Sequence, residues 1–316
     1  MFQKGIGVME NIGSLFQALP GAVSQGVLWG IMVLGVYITF KILDIADLTV
    51  DGSFALGGCV CALLVVEKGW GPVSALLIAT LAGFLAGAIT GILHTLCDIP
   101  AILAGILTQI ALWSINLRVM GKSNTPLLKV DTIFSRLVEQ TGLSQSTIAM
   151  VTGIVIAIVL ILFLYWLFGT ELGCGLRATG NNEDMIRALG RNTKAAKLIA
   201  LAISNALVGL SGALVCQSQK YADIGMGIGA IVIGLAAIVI GDVLLGWVRS
   251  FGGKLMSAVI GSVVYFVIRA FVLWLGMDAN DMKLISAIIV ALALCIPVFI
   301  NKWRNYHSYS EEGPSC

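Results

Sequence analysis

Charge is scarce in this chain. Of 316 residues only 11% are Asp, Glu, Lys or Arg, against about 25% in an ordinary soluble domain. A water-soluble body needs a polar outer layer, and so few charges cannot supply one. That excludes a soluble globule and leaves a polytopic membrane protein. With 19 Lys and Arg against 17 Asp and Glu, the balance is too even for a nucleic-acid binder, and no basic stripe runs along the chain. Histidine is scarcer still: the two, His94 and His307, lie far from each other and from the cysteine pair Cys59 and Cys61. With scattered single carboxylates, that leaves no Ser/His/Asp set and no metal-ligand cluster, so an enzyme is not expected. A nucleotide loop is missing too. Gly252-Gly253-Lys254-Leu255 has Leu255 where the Ser or Thr belongs and Val248 where the first Gly belongs. Residues 1–20 carry Lys4 and Glu10 and lack a continuous apolar stretch before a cleavage site, so the first anchor is expected to be retained.

What is abundant is apolar surface: 58% of residues are hydrophobic and the mean hydropathy is +0.98. A bilayer core about 30 Å thick needs about 20 apolar residues per helix. On that ruler residues 21–43, 72–93, 100–115, 147–168, 198–217, 226–246, 255–275 and 284–300 read as spans. Residues 53–66 are apolar but number only 14, a length that fits a re-entrant segment as well as a crossing. The expected fold is therefore an all-α polytopic membrane protein of eight to ten helices, nine favoured, with short broken or re-entrant pieces. Nine spans place the N-terminus outside the cell.

Three polar connections divide the pattern. Residues 169–197 hold Arg177, Arg187, Arg191, Lys194 and Lys197, and residues 301–316 open with Lys302 and Arg304. By the positive-inside tendency both are assigned to the cytoplasm, and the loop 117–146 to the outside. The organisation is then an N-terminal segment 1–20, a transmembrane domain 21–300 and a tail 301–316. Glycines four apart, as in Gly83, Gly87 and Gly91 or Gly225 and Gly229, read as close helix packing. Cys59, Cys61, Cys97, Cys216 and Cys295 lie in apolar runs and read as small hydrophobes. The five and four spans on either side of the basic loop loosely suggest duplicated halves. Thr108, Gln109, Asn116 and Asn205 are polar residues at membrane depth that either line a pathway or bond helix to helix.

Inside the basic loop, residues 175–192 spell a short helix with marked ends. Asn181 is a natural N-cap, Glu183 and Asp184 put negative charge on the first turn, and Gly190 can end the helix in the left-handed conformation. Met185, Ile186 and Leu189 give about two turns an apolar face, too short to stand alone and therefore expected to dock. Spacing alone serves equally a connector lying on the protein's own inner surface.

A resemblance to a known family is what favours docking on a partner. Arg177, Ala178, Gly180, Asn182 and Gly190 match the coupling loop of ABC importer permeases of the branched-chain amino acid and ribose type. Residues 45–53, Ile-Ala-Asp-Leu-Thr-Val-Asp-Gly-Ser, are similar to that family's D-L-S-V-G-S segment with one residue added at Asp51. Residues 98–103, Asp-Ile-Pro-Ala-Ile-Leu, resemble its I-P-A-F-I helix start, although Ala104-Gly105-Ile106 follow where the family reads Thr-Leu-Gly. The resemblance covers about residues 26–300, and the nearest variant is that of amino-acid permeases, aromatic amino acids included. It implies a type II ABC importer permease of the bacterial inner membrane. It further implies a second permease subunit forming a homodimer, a pair of ABC ATPase subunits that bind the ATP and Mg, and an extracytoplasmic solute-binding protein. No cofactor would sit in this chain. On this resemblance Asn182, Glu183, Met185, Ile186, Arg187, Leu189 and Arg191 couple the permease to the ATPase, with Met185, Ile186 and Leu189 as apolar contact and Arg187 and Arg191 as polar rim. The alternative is an ion-coupled secondary transporter or channel, for which Asp98, Asp242 and Arg269 are the ionisable groups at membrane depth.

Overall fold

The computed structural model describes residues 2–275 apart from Lys129 and Arg249, with side chains from residue 18 onwards, and isolated positions between 284 and 295. The expected last span, 284–300, and the tail 301–316 therefore lie outside the described residues save for those positions. Among the described residues eight helices are long and apolar enough to cross a bilayer.

The chain forms α1 (Phe2–Tyr37, continued by a π turn Ile38–Ile42), α2 (Thr49–Ala62, continued by a π turn Leu63–Glu67), α3 (Pro72–Thr95) and α4 (Ala101–Met120). After these come β1 (Asn124–Pro126), α5 (Ile133–Thr141), α6 (Gln145–Gly169), α7 (Glu171–Asn181) and α8 (Glu183–Ala188). α9 (Thr193–Gln219), β2 (Tyr221–Asp223), a 3₁₀ turn Ile224–Gly227, α10 (Ala230–Leu244) and α11 (Phe251–Trp274) complete it. The span left open by its 14 apolar residues is α2. It starts at Thr49 and runs 19 residues to Glu67, about 28 Å at 1.5 Å per residue. Its polar start is tolerable because Asp51 is satisfied inside the bundle: Oδ2 accepts from the amide of Gly229 and Oδ1 from that of Ile231, both at 2.9 Å.

Alternation of the spans can be followed through their contacts. At one end, β1 pairs antiparallel with β2, and the Gln217 amide reaches Pro72 O at 3.0 Å while its Oε1 accepts from Ile133 N. We call this the hairpin end. At the other, the loop end, Lys194 pairs with Asp98 at 3.1 Å and Lys41 with Asp242 at 2.9 Å. Two of the carboxylates considered for ion coupling are thus held in ion pairs where helices meet the surface. α1 runs from the hairpin end to the loop end, so residues 117–146 and 169–192 lie at opposite ends.

α1, α2 and α9 are the buried helices, and α3, α4 and α6 carry apolar residues on exposed faces. Water gives no drive to join helices in lipid, so close packing and interhelical hydrogen bonds must do it. Three serines supply the bonds to α1: Ser204, Ser211 and Ser262 each donate from Oγ, at 2.8 Å, to the carbonyls of Gly35, Leu28 and Gly26. Small residues supply the proximity. A Cβ on Gly87 would meet the Cβ of Asn205 at 2.7 Å, so α3 lies directly on α9. The stripe Gly83, Gly87 and Gly91 is a packing face, as its spacing suggests. The pair Gly225 and Gly229 is not: Gly225 lies in the 3₁₀ turn and Gly229, at φ +83°, precedes α10. The helix there is interrupted, and four-residue spacing carries no face through a break.

Candidate functional site

Residues 169–192 form two helices rather than one. Thr170 caps α7, its Oγ1 accepting from Gly173 N, so that α7 turns off the end of α6. α7 crosses the end of α1 at Gly180, where the carbonyl of Ile42 occupies the space a side chain would need. Any larger residue would push α7 off the bundle.

α8 follows at once. Its N-cap is Asn182, one residue later than the sequence suggested; with φ −157° and ψ 98° its Oδ1 accepts from Met185 N at 2.9 Å. Asn181 instead ends α7. The helix has six residues, and Gly190 takes φ +80° as it closes. A piece this short is held by its neighbours, and two side chains do the holding. Ile186, 7% exposed, points inward into a recess with Leu172, Leu176, Ala196 and Ile199. Glu183 accepts from Lys197 Nζ at 2.5 Å and from Arg187 Nη2 at 2.9 Å, tying α8 to α9.

The inward position of Ile186 corrects the expected docking face. The seven candidate coupling residues divide into an inner and an outer set. Ile186 and Glu183 anchor the helix and Asn182 shapes its start, whereas Met185 (49% exposed) and Leu189 (71%) face outward. Arg187 and Arg191 flank them, the latter 3.9 Å from Glu171. Two exposed apolar side chains on a seated knob, rimmed by arginine, form an exposed apolar patch at the loop end.

The hydrogen bond from Lys197, with that residue's charge and Arg187's, holds the Glu183 carboxyl below the usual carboxylate range against a desolvation that pushes the other way. A depressed acid contributes stability that is complete above its unfolded value and lost as the pH falls through its folded one. We predict that amide protection across residues 183–189, corrected for intrinsic exchange chemistry, stays level above about pH 4.3 and declines in stronger acid. In Glu183→Gln it should be lower and independent of pH over that range. Equal protection in the two proteins would refute the anchoring role.

The polar residues at membrane depth mostly bond helix to helix. Thr108 joins Thr90 at 2.9 Å, and Thr90 joins Thr49 at 2.8 Å, linking α4, α3 and α2. Asn205 donates to Asp47 Oδ2 at 2.7 Å, Asn116 reaches the carbonyl of Gly52 at 3.5 Å, and Gln109 is half-buried against the same glycine. Asp47, 2% exposed, also accepts from Thr49 N and so draws the α1–α2 connection into the bundle. Neither Asp47 nor Lys197 was singled out by the sequence. Asp47 lay in the recognised string, but nothing there shows that its partner stands 158 residues away.

Eight apolar spans among the described residues, stapled by small residues and hydroxyls, with a seated helical knob at one end, define a multi-pass membrane protein. The chain belongs to the family described as branched-chain amino acid transport system / permease component, which it matches over residues 19–294. It is the permease component of an ABC importer of the bacterial inner membrane. Among relatives, it is 40% identical over 267 residues to the tyrosine transport system permease protein of Clostridioides difficile, covering 84% of this chain and 87% of that one. It is 29% identical over 229 residues to the autoinducer 2 import system permease protein LsrC of Yersinia pseudotuberculosis, 70% of this chain and 62% of that one. Among solved structures, PsaBC from Streptococcus pneumoniae in complex with Fab shares the fold, with a TM-score of 0.50 at 17% identity over 90% of this chain and 95% of that one.

Proposed function

We propose that this permease carries an amino acid with an aromatic side chain, delivered from outside by a solute-binding protein and driven by ATP hydrolysed on separate subunits. The observation that carries the substrate class is the 40% identity, over most of both chains, to a tyrosine transport permease. The loop end is cytoplasmic in this reading, which agrees with the excess of Lys and Arg in residues 169–197. The ATPase grips Met185 and Leu189, and a second copy of the chain completes the pathway. In this reading ATP and Mg are held by the partner ATPase.

ATP can shift the permease only through contacts that differ between the two states of the ATPase. A helix fixed to α9 and α7 by Ile186 and Glu183 is stiff enough to pass that difference on. The test is uptake of radiolabelled tyrosine into proteoliposomes holding the permease with the ATPase and binding protein that co-purify with it. Uptake should require ATP and both partners. Uptake by the permease alone, driven by an ion gradient, would assign the chain to the secondary transporters instead.

A further inference from the structure

A cavity of about 440 Å³ opens among α1, α2, α9, α10 and α11 towards the hairpin end. Its walls include Trp29, Phe54, Gln219, Tyr221, Met226 and Arg269. Three features distinguish it from a packing gap. Arg269 is half-buried in an apolar helix, and none of the ion pairs among the described residues involves it. A guanidinium half-buried among apolar side chains is costly without an anion. The ring of Phe266 under it, 5.7 Å from the guanidinium carbon, offsets only part of that cost. The second feature is an aromatic wall beside this cation: Trp29 lies 4.5 Å from Phe54 and 5.4 Å from Phe266, centroid to centroid. Third, Gln219 donates a hydrogen bond from Nε2 to Gln25 Oε1 at 3.2 Å, which leaves its own Oε1 to accept one.

We propose that this cavity is a transit site for a zwitterionic aromatic amino acid: the α-carboxylate bonds to Arg269, the ring lies along Trp29 and Phe54, and the ammonium donates to Gln219 Oε1. Arg269 reads the charge and the aromatic wall reads the side chain. The permease thereby adds its own selection to that of the binding protein. Asp51, whose partner Gly229 lines the same cavity, has both its oxygens taken by amides. The choice of ligand rests on the amino-acid reading of the preceding section; the site itself rests on the cation and the rings.

The full-length chain in phosphatidylcholine nanodiscs is dialysed to equilibrium against radiolabelled L-tyrosine, with tyramine, which lacks the carboxylate, and L-leucine, which lacks the ring, as competitors. Saturable binding is expected, weakened about tenfold or more in Arg269→Gln and partly recovered in Arg269→Lys, with neither competitor matching tyrosine. A second readout is independent of Arg269: tyrosine should slow maleimide labelling of Tyr221→Cys, followed at that position by mass spectrometry. Unchanged affinity in Arg269→Gln, equal competition by tyramine, or a site occupied by phosphatidylglycerol that tyrosine does not displace would each overturn the proposal. The two readings fail differently. If the importer carries no aromatic amino acid, wild-type proteoliposomes take up no tyrosine. If only the cavity is misassigned, uptake proceeds and Arg269→Gln leaves both KM and turnover unchanged.

Discussion

Replacing Met185 and Leu189 together by aspartate yields a permease that inserts and folds but no longer imports. Both side chains are exposed, at 49% and 71%, and neither lines the recess that holds Ile186. Surface changes of this kind usually alter stability by about 0.5 kcal/mol or less. At an interface the reckoning differs. Loss of a central apolar anchor commonly costs about 2 kcal/mol or more, and two carboxylates forced into the same recess add their desolvation. Together these exceed about a hundredfold in affinity. The expected phenotype is normal membrane yield, weakened capture of the ATPase by the permease, and tyrosine uptake reduced by about the same factor, while the ATPase still hydrolyses ATP at its uncoupled rate. Ile186→Ala is the contrasting variant. It empties the inner recess, should destabilise by about 2–5 kcal/mol, and lowers yield and uptake together. Wild-type uptake by the double aspartate variant would remove α8 from the coupling pathway.

The division of labour within α8 shows what a sequence can and cannot disclose. Glu183 and Gly190 are punctuation, and punctuation acts locally, so the helix and its end were readable, while its start was placed one residue early at Asn181. Which of Met185, Ile186 and Leu189 faces inward depends on α7 and α9, and α7 itself was missed although Thr170 and Glu171 mark its start. The same limit holds for the spans. Hydropathy found seven of the eight described crossings outright and stopped short on α2, because Thr49 and Asp51 look like an interruption until Gly229 and Ile231 stand beside them. Thr108, Asn116 and Asn205 were visible as polar residues in apolar runs. Their roles as helix-to-helix bonds belong to distant partners: Gly52 lies 64 residues from Asn116 and Asp47 lies 158 from Asn205. Arg269 was visible only as a charge out of place. Its aromatic neighbours come from α1, α2 and its own helix, a convergence no spacing rule reports.

Asp51→Leu is expected to lower the stability of the whole bundle, which the aspartate changes on the outer face of α8 leave nearly untouched. α10 starts in mid-structure with Gly229 as its N-cap, and glycine offers no side chain for the free amides of the first turn. Asp51 supplies the cap from another helix. Its two oxygens take the amides of Gly229 and Ile231, and its negative charge stands where the α10 dipole is positive. A hydrogen bond to a charged group contributes about 1.5–3 kcal/mol, and two part-buried amides would lose their acceptor at once. The combined loss should be about 3 kcal/mol or more, read as a lower midpoint in thermal aggregation of the detergent-solubilised permease. Asp51→Asn keeps one acceptor oxygen and gives up the charge, so its midpoint should fall between the other two. A leucine variant as stable as the wild type would show that α10 holds its broken start without help. The added residue at Asp51 is where this chain departs from the family's D-L-S-V-G-S string. If the ranking holds, the departure is a structural one: an extra position in α2 that places a carboxylate against the start of α10 and lets a helix begin inside the membrane.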